Sequence, residues 1–146
     1  MYKLHTIRKT GNYVRNGAFL VLFVLVLISC EKLSDNPVDP RDNIVDTWKC
    51  VETSQAFGGQ TTYSVDVSKD SKDSTKVWLD NFYNLNGFKI YAKISGLNFT
   101  IPVQTVDGNV INGSGVVSAN YKTINWTYKV NYGSGIDNVT AVYTRY

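Results

Sequence analysis

From Ile44 to Tyr146, apolar side chains recur at every second position, and no stretch carries them at the three-to-four spacing of a helix. A period of two places successive side chains on opposite faces of an extended strand. Runs of this kind fall at 44–56, 61–68, 75–82, 88–95, 97–106, 109–118, 121–131 and 136–146. Short turn clusters separate them, among them Gly58-Gly59, Asn84-Leu85-Asn86-Gly87, Asp107-Gly108 and Gly133-Ser134-Gly135. Such residues tolerate positive φ or bond their own backbone, so they reverse a chain cheaply. Eight strands with short connections predict an all-β antiparallel meander. An open meander exposes two pairing edges, whereas an eight-stranded up-and-down barrel exposes none, so the barrel is the expected end point. A two-sheet sandwich is the rival, but it normally uses longer crossing connections than these turns provide.

The alternation assigns an interior. Trp48 and Cys50 share one face of the first run, followed by Tyr63, Val65 and Val67, then Val77 and Leu79. Phe88, Ile90, Ala92 and Ile94 come next, then Leu97, Phe99 and Ile101. Trp126, Tyr128, Ala141 and Tyr143 continue the set toward the end of the chain. Pro102 is expected to interrupt the ladder of its strand. Gly113 and Gly115, inside a strand pattern, are expected to mark a bulge or a close approach.

A barrel of eight strands is about large enough to hold one small ligand or to fill itself with side chains. Trp48, Tyr63, Phe99, Trp126, Tyr128 and Tyr143 are the candidate lining of a small apolar ligand site, with hydroxyls available for orientation. On the outer face, Trp78 and Tyr91 stand among Lys76, Asp80, Lys89 and Lys93. An exposed aromatic pair of this kind can stack on a sugar or anchor a protein partner. The plainer reading is a cross-strand pair that stabilises the sheet.

Several chemistries lack their residues. The single histidine, His5, lies in the N-terminal segment, so the rest of the chain holds no Ser-His-Asp, Cys-His or histidine-containing zinc arrangement. Asn112-Gly113-Ser114-Gly115 is glycine-rich but precedes no helix, which a phosphate loop requires. No catalytic residue, metal site or cofactor is expected, and the chain reads as non-enzymatic.

The N-terminal segment is of another kind. Lys3, Arg8, Lys9 and Arg15 precede an apolar run of 11 residues, 18–28, which ends at Ser29-Cys30. A membrane-spanning helix needs about 20 apolar residues, whereas this length suits the apolar region of a secretory signal. Four of the 15 basic residues and none of the 12 acidic ones precede Cys30, which leaves 11 against 12 after removal of residues 1–29. The remainder is then weakly acidic, without the basic excess that nucleic-acid binding needs. The segment 30–43 contains two prolines and no periodic apolar pattern, and reads as a flexible tether. The expected organisation is a signal peptide over 1–29, a tether over 30–43 and a barrel domain over 44–146.

Two resemblances follow. Leu27-Ile28-Ser29-Cys30 resembles the lipobox of bacterial lipoproteins, which implies cleavage before Cys30 and attachment of lipid to its thiol. That implies a membrane partner through Cys30, and leaves Cys50 without a disulfide partner. Asp46-Thr47-Trp48 near the start of the first run and Arg145 near the end of the last resemble the calycin, or lipocalin-like, barrels, with aspartate where those carry glycine. The resemblance implies that Arg145 packs across Trp48 where first and last strands close the barrel. The whole resembles the small lipocalin-like lipoproteins of Bacteroides-like bacteria. It implies a lipid-anchored envelope protein, at the outer membrane on either its periplasmic or surface face, that binds a small apolar ligand or an envelope protein. The alternative is an enzyme inhibitor or an accessory subunit of an outer-membrane complex.

Overall fold

A computed structural model describes residues 39–146; the expected signal peptide, Cys30 and most of the expected tether lie outside the described residues. The strands are β1 (Asp46–Ser54), β2 (Gly59–Lys69), β3 (Lys76–Asp80), β4 (Lys89–Ser95), β5 (Asn98–Val106), β6 (Asn109–Val117), β7 (Thr123–Asn131) and β8 (Ile136–Arg145). Each pairs antiparallel with its sequence neighbour, and β8 pairs back onto β1, so the sheet closes into an eight-stranded barrel. The closing seam runs from Trp48 opposite Arg145 to Ser54 opposite Val139. With an even number of strands, β1 starts and β8 finishes at the same rim.

The alternation becomes the inside of the barrel almost residue for residue. Cys50, Val65, Leu79, Ile90, Phe99, Ile111, Trp126 and Tyr143 are all buried, and their strand neighbours face solvent. Gly113 and Gly115 are close-approach positions: a Cβ at Gly115 would stand 2.5 Å from Cε3 of Trp126, and one at Gly113 would stand 2.4 Å from Cβ of Tyr128. The Trp126 ring thus lies directly against the β6 backbone at Gly115, and the β7 backbone itself crowds Gly113. The bulge falls on the facing strand, where the β5–β6 register shifts between Ile101 and Gln104 around Pro102. The β4–β5 ladder stops short of it, running only from Ser95–Asn98 to Lys93–Thr100. The Gln104 side chain stands in for a missing rung: its Oε1 accepts from Tyr91 N at 3.0 Å and its Nε2 donates to Tyr91 O at 2.8 Å.

Four expectations need correction. Residues 40–43 are not tether: Pro40–Asn43 forms a 3₁₀ turn whose Arg41 is buried against the barrel. The third strand does not reach Phe82, because β3 stops at Asp80 and Phe82–Asn84 forms a second 3₁₀ turn. Phe88 is in phase with Ile90 but is 43% exposed, because pairing begins only at Lys89 and the preceding turn carries it off the sheet. Tyr63 and Leu97 are half-buried at the margins of the core.

One rim is sealed by the first of these turns. Asp39 accepts from the backbone N, Nε and Nη2 of Arg41. Nη1 of Arg41 donates to the carbonyls of Asp70, Asp73 and Lys76, which pins the β2–β3 connection. Trp48 Nε1 donates to Ile44 O at 2.9 Å, and Arg145 Nη2 to Asn43 O at 2.5 Å. The Arg145 guanidinium lies 5.0 Å from the Trp48 ring centroid, a stacked cation over an indole face.

Candidate functional site

The opposite half of the barrel holds its polar interior. The inward phase that buries Trp48 and Cys50 on β1 also turns Glu52 inward, and it too is buried. Tyr63 stands opposite Cys50 on β2, and Tyr143 stands opposite Cys50 on β8. Glu52 Oε2 accepts hydrogen bonds from both Tyr63 OH and Tyr128 OH. Its Oε1 accepts none from the described residues, and no lysine or arginine among them pairs with it. Burial pushes the Glu52 carboxyl above the usual range; the Tyr128 and Tyr63 hydroxyls oppose this only in part, and Asp137 adds to the rise. Burial pushes the Cys50 thiol up to about 12, so it is an inert thiol rather than a nucleophile. Burial also raises Tyr63, Tyr128 and Tyr143, which keeps all three hydroxyls as protonated donors.

Asp137, at the start of β8, is a second buried carboxylate with a different fate. It accepts from Ser54 Oγ at 2.7 Å, Gln55 N at 3.0 Å, Ala56 N at 2.9 Å and Tyr83 OH at 3.0 Å. Burial alone pushes its carboxyl up, but these donors outweigh that and the net displacement is downward. Asp137 is therefore saturated: it ties the β1–β2 turn to β8, and it holds Tyr83.

Tyr83 belongs to the 3₁₀ turn after β3, which crosses the mouth of the barrel. β7 lies four strands from β3 in either direction around the ring. Even so, the Phe82 ring reaches Tyr128 of β7 at 4.5 Å between centroids and Trp126 of β7 at 6.0 Å. Tyr83 packs edge-on against Tyr128 at 6.2 Å. Below, Trp126 meets Phe99 at 5.0 Å and Tyr143 at 5.7 Å. Trp126 Nε1 and Tyr143 OH are buried and have no hydrogen-bond partner among the described residues.

Of the six candidate lining residues, Phe99, Trp126 and Tyr143 form one aromatic row, and Tyr63 and Tyr128 hold Glu52. Trp48 stands apart, at the sealed rim under Arg145. Trp78 and Tyr91 are opposite each other on β3 and β4, edge to face at 5.9 Å and half-buried. Lys76 Nζ lies 4.6 Å from the Tyr91 ring and Lys89 Nζ 5.3 Å from that of Trp78, while Trp78 Nε1 donates to Asp70 at 2.9 Å. Lysines of the same wall therefore cover the ring faces that a sugar would use. Glu52, Asp137, Phe82 and Tyr83 are site residues that sequence reasoning missed. The first was visible as an acid in the inward phase of β1, and the second as one in the inward phase of β8.

Neither the protein-family models nor the curated proteins contain a match to this chain. Among the described residues no three His, Cys, Asp or Glu side chains converge as metal ligands.

Proposed function

We propose that the chain is a lipid-anchored, non-enzymatic binding protein of the cell envelope, a lipocalin-like barrel attached through Cys30 that takes a small, largely apolar ligand. The observation that carries the binding half is the aromatic layer of Phe99, Trp126, Tyr128 and Tyr143 with an incompletely bonded carboxylate, Glu52, beside it. A barrel interior built only for stability has little reason to bury an acid without a cation. The anchoring half is supported by the basic flank, short apolar run and Ser29-Cys30 junction. Native mass spectrometry of the full chain, extracted gently in detergent, tests binding: a co-purifying small molecule is expected, and persistent recovery of the bare polypeptide counts against it. Labelling with an alkynyl fatty acid tests the anchor. Cys30→Ala should abolish the label and release the protein from membranes.

A second reading, an accessory subunit or inhibitor that docks on an envelope protein, is favoured by one feature of the mouth. Phe57, 66% exposed, stacks on Tyr132 at 5.3 Å, with Ile136, 60% exposed, on the same rim. Crosslinking in intact cells to one recurrent protein partner is the result this reading requires.

A further inference from the structure

The ligand space of this barrel is occupied by one of the protein's own side chains. Phe82 is buried between Tyr128 and Trp126, although it belongs to a turn rather than to the barrel wall. The turn that delivers it is held in an unusual backbone. Asn81, Tyr83 and Asn84 have φ of 63°, 57° and 54°, the left-handed region that asparagine tolerates and that a bulky residue such as Tyr83 resists. Two side-chain bonds fasten the turn, Tyr83 OH to Asp137 and Asn81 Nδ2 to Ser64 O. Beneath the ring lie one carboxylate oxygen, Glu52 Oε1, with no bond from the described residues, and two unpartnered buried groups, Trp126 Nε1 and Tyr143 OH. Buried polar groups are ordinarily satisfied, so these two, together with a carboxylate oxygen that no described donor reaches, mark a place for a guest that hydrogen-bonds.

The charge of that level selects among guests. Glu52 and Asp137 are its buried ionisable acids, and the only buried basic residue among the described ones, Arg41, belongs to the sealed rim. A fatty acid would bring a third carboxylate into this surrounding and be repelled. An ammonium would supply the cation that Glu52 lacks, with the Tyr63 and Tyr128 hydroxyls beside it. We infer that the Phe82–Asn84 turn is a displaceable plug and that the ligand replacing it is an arylalkyl primary amine, its ring where Phe82 now sits and its ammonium on Glu52. This inference rests on the ligand-binding reading above and names the class of ligand.

The test uses the full chain in detergent, titrated with 2-phenylethylamine and with its neutral counterpart 2-phenylethanol, by calorimetry and by tryptophan fluorescence. The amine should bind at least about tenfold more tightly than the alcohol, since a charge-assisted bond is about twice as strong as a neutral one. Glu52→Gln should erase that preference. Phe82→Ala should tighten amine binding by about tenfold or more, because the plug no longer competes. Should Phe82→Ala fail to fold by circular dichroism, Tyr83→Phe, which frees one of the two fastenings and keeps the ring, should still tighten it severalfold. Equal affinity for amine and alcohol overturns the inference while leaving the apolar-ligand reading standing. So does a preference that survives Glu52→Gln, or an affinity unmoved by Tyr83→Phe. Binding of neither probe to the parent or to any variant removes both.

Discussion

Glu52 and Asp137 show how the same functional group, buried in the same barrel, acquires opposite properties from its donors. Four donors hold Asp137 ionised, whereas two tyrosine hydroxyls leave Glu52 with a raised pKa. A carboxyl raised on folding binds its proton more tightly in the folded chain. Stability therefore falls as pH climbs from the unfolded glutamate value, about 4.3, up to the folded one. For Asp137 the sign reverses: its contribution is present above the unfolded aspartate value and is lost as pH falls through the lowered folded one. Glu52→Gln should accordingly melt higher than the parent at pH 7, with the difference gone below about pH 4; a difference independent of pH would show that Glu52 is ionised at no cost. Gly115 is the other residue with a sharp requirement. Gly115→Ala drives a methyl into the Trp126 ring and should cost about 1–3 kcal/mol by chemical denaturation. An unchanged midpoint would mean that the ring moves off the strand freely. Both requirements were partly readable beforehand. Glu52 is in phase with Trp48 and Cys50, and a glycine at an inward position already implies close approach; what alternation could not say is which ring approaches.

At the scale of elements, the strands were readable and the two 3₁₀ turns were not. Val77 and Leu79 set an odd inward phase for β3, and Phe82 breaks it, which is the one local sign that the strand has ended. Nothing in the sequence says that the turn then crosses to β7, since that depends on where the far wall stands. Arg41 is harder still. A charged residue beside Pro40 reads as solvated chain, and its true partners are backbone carbonyls of a turn some thirty positions away, which have no side-chain signature. Its role can be measured. Arg41→Ala removes charged donors from three carbonyls and from Asp39, and should cost about 2–3 kcal/mol. For a domain of this size that lowers the melting temperature by about 4–8 °C per kcal/mol. Arg41→Lys should recover only part of the loss, because an ammonium lacks the forked donor geometry. Full recovery would mean that charge alone matters there.

At the scale of the whole molecule, the barrel could be anticipated because alternation, turn spacing and edge avoidance all point to one closed sheet. Its two ends differ for reasons that emerge only on closure. One rim is stitched by Arg41, Trp48 and Arg145, and the other is stopped by a turn that two side-chain bonds hold. The seam that joins β8 to β1 also brings the two limits of the folded chain together, Arg145 bonding directly to Asn43. A closed ring whose limits touch has no privileged starting strand. A permuted gene that links those limits through a short glycine-serine spacer and opens at the exposed Asp107–Gly108 turn should therefore yield the same barrel, melting in one cooperative step. Such a rearrangement would leave the mouth under the Phe82 turn intact while moving both ends of the chain to it, so that a reporter fused there would sit beside the way in for the proposed ligand.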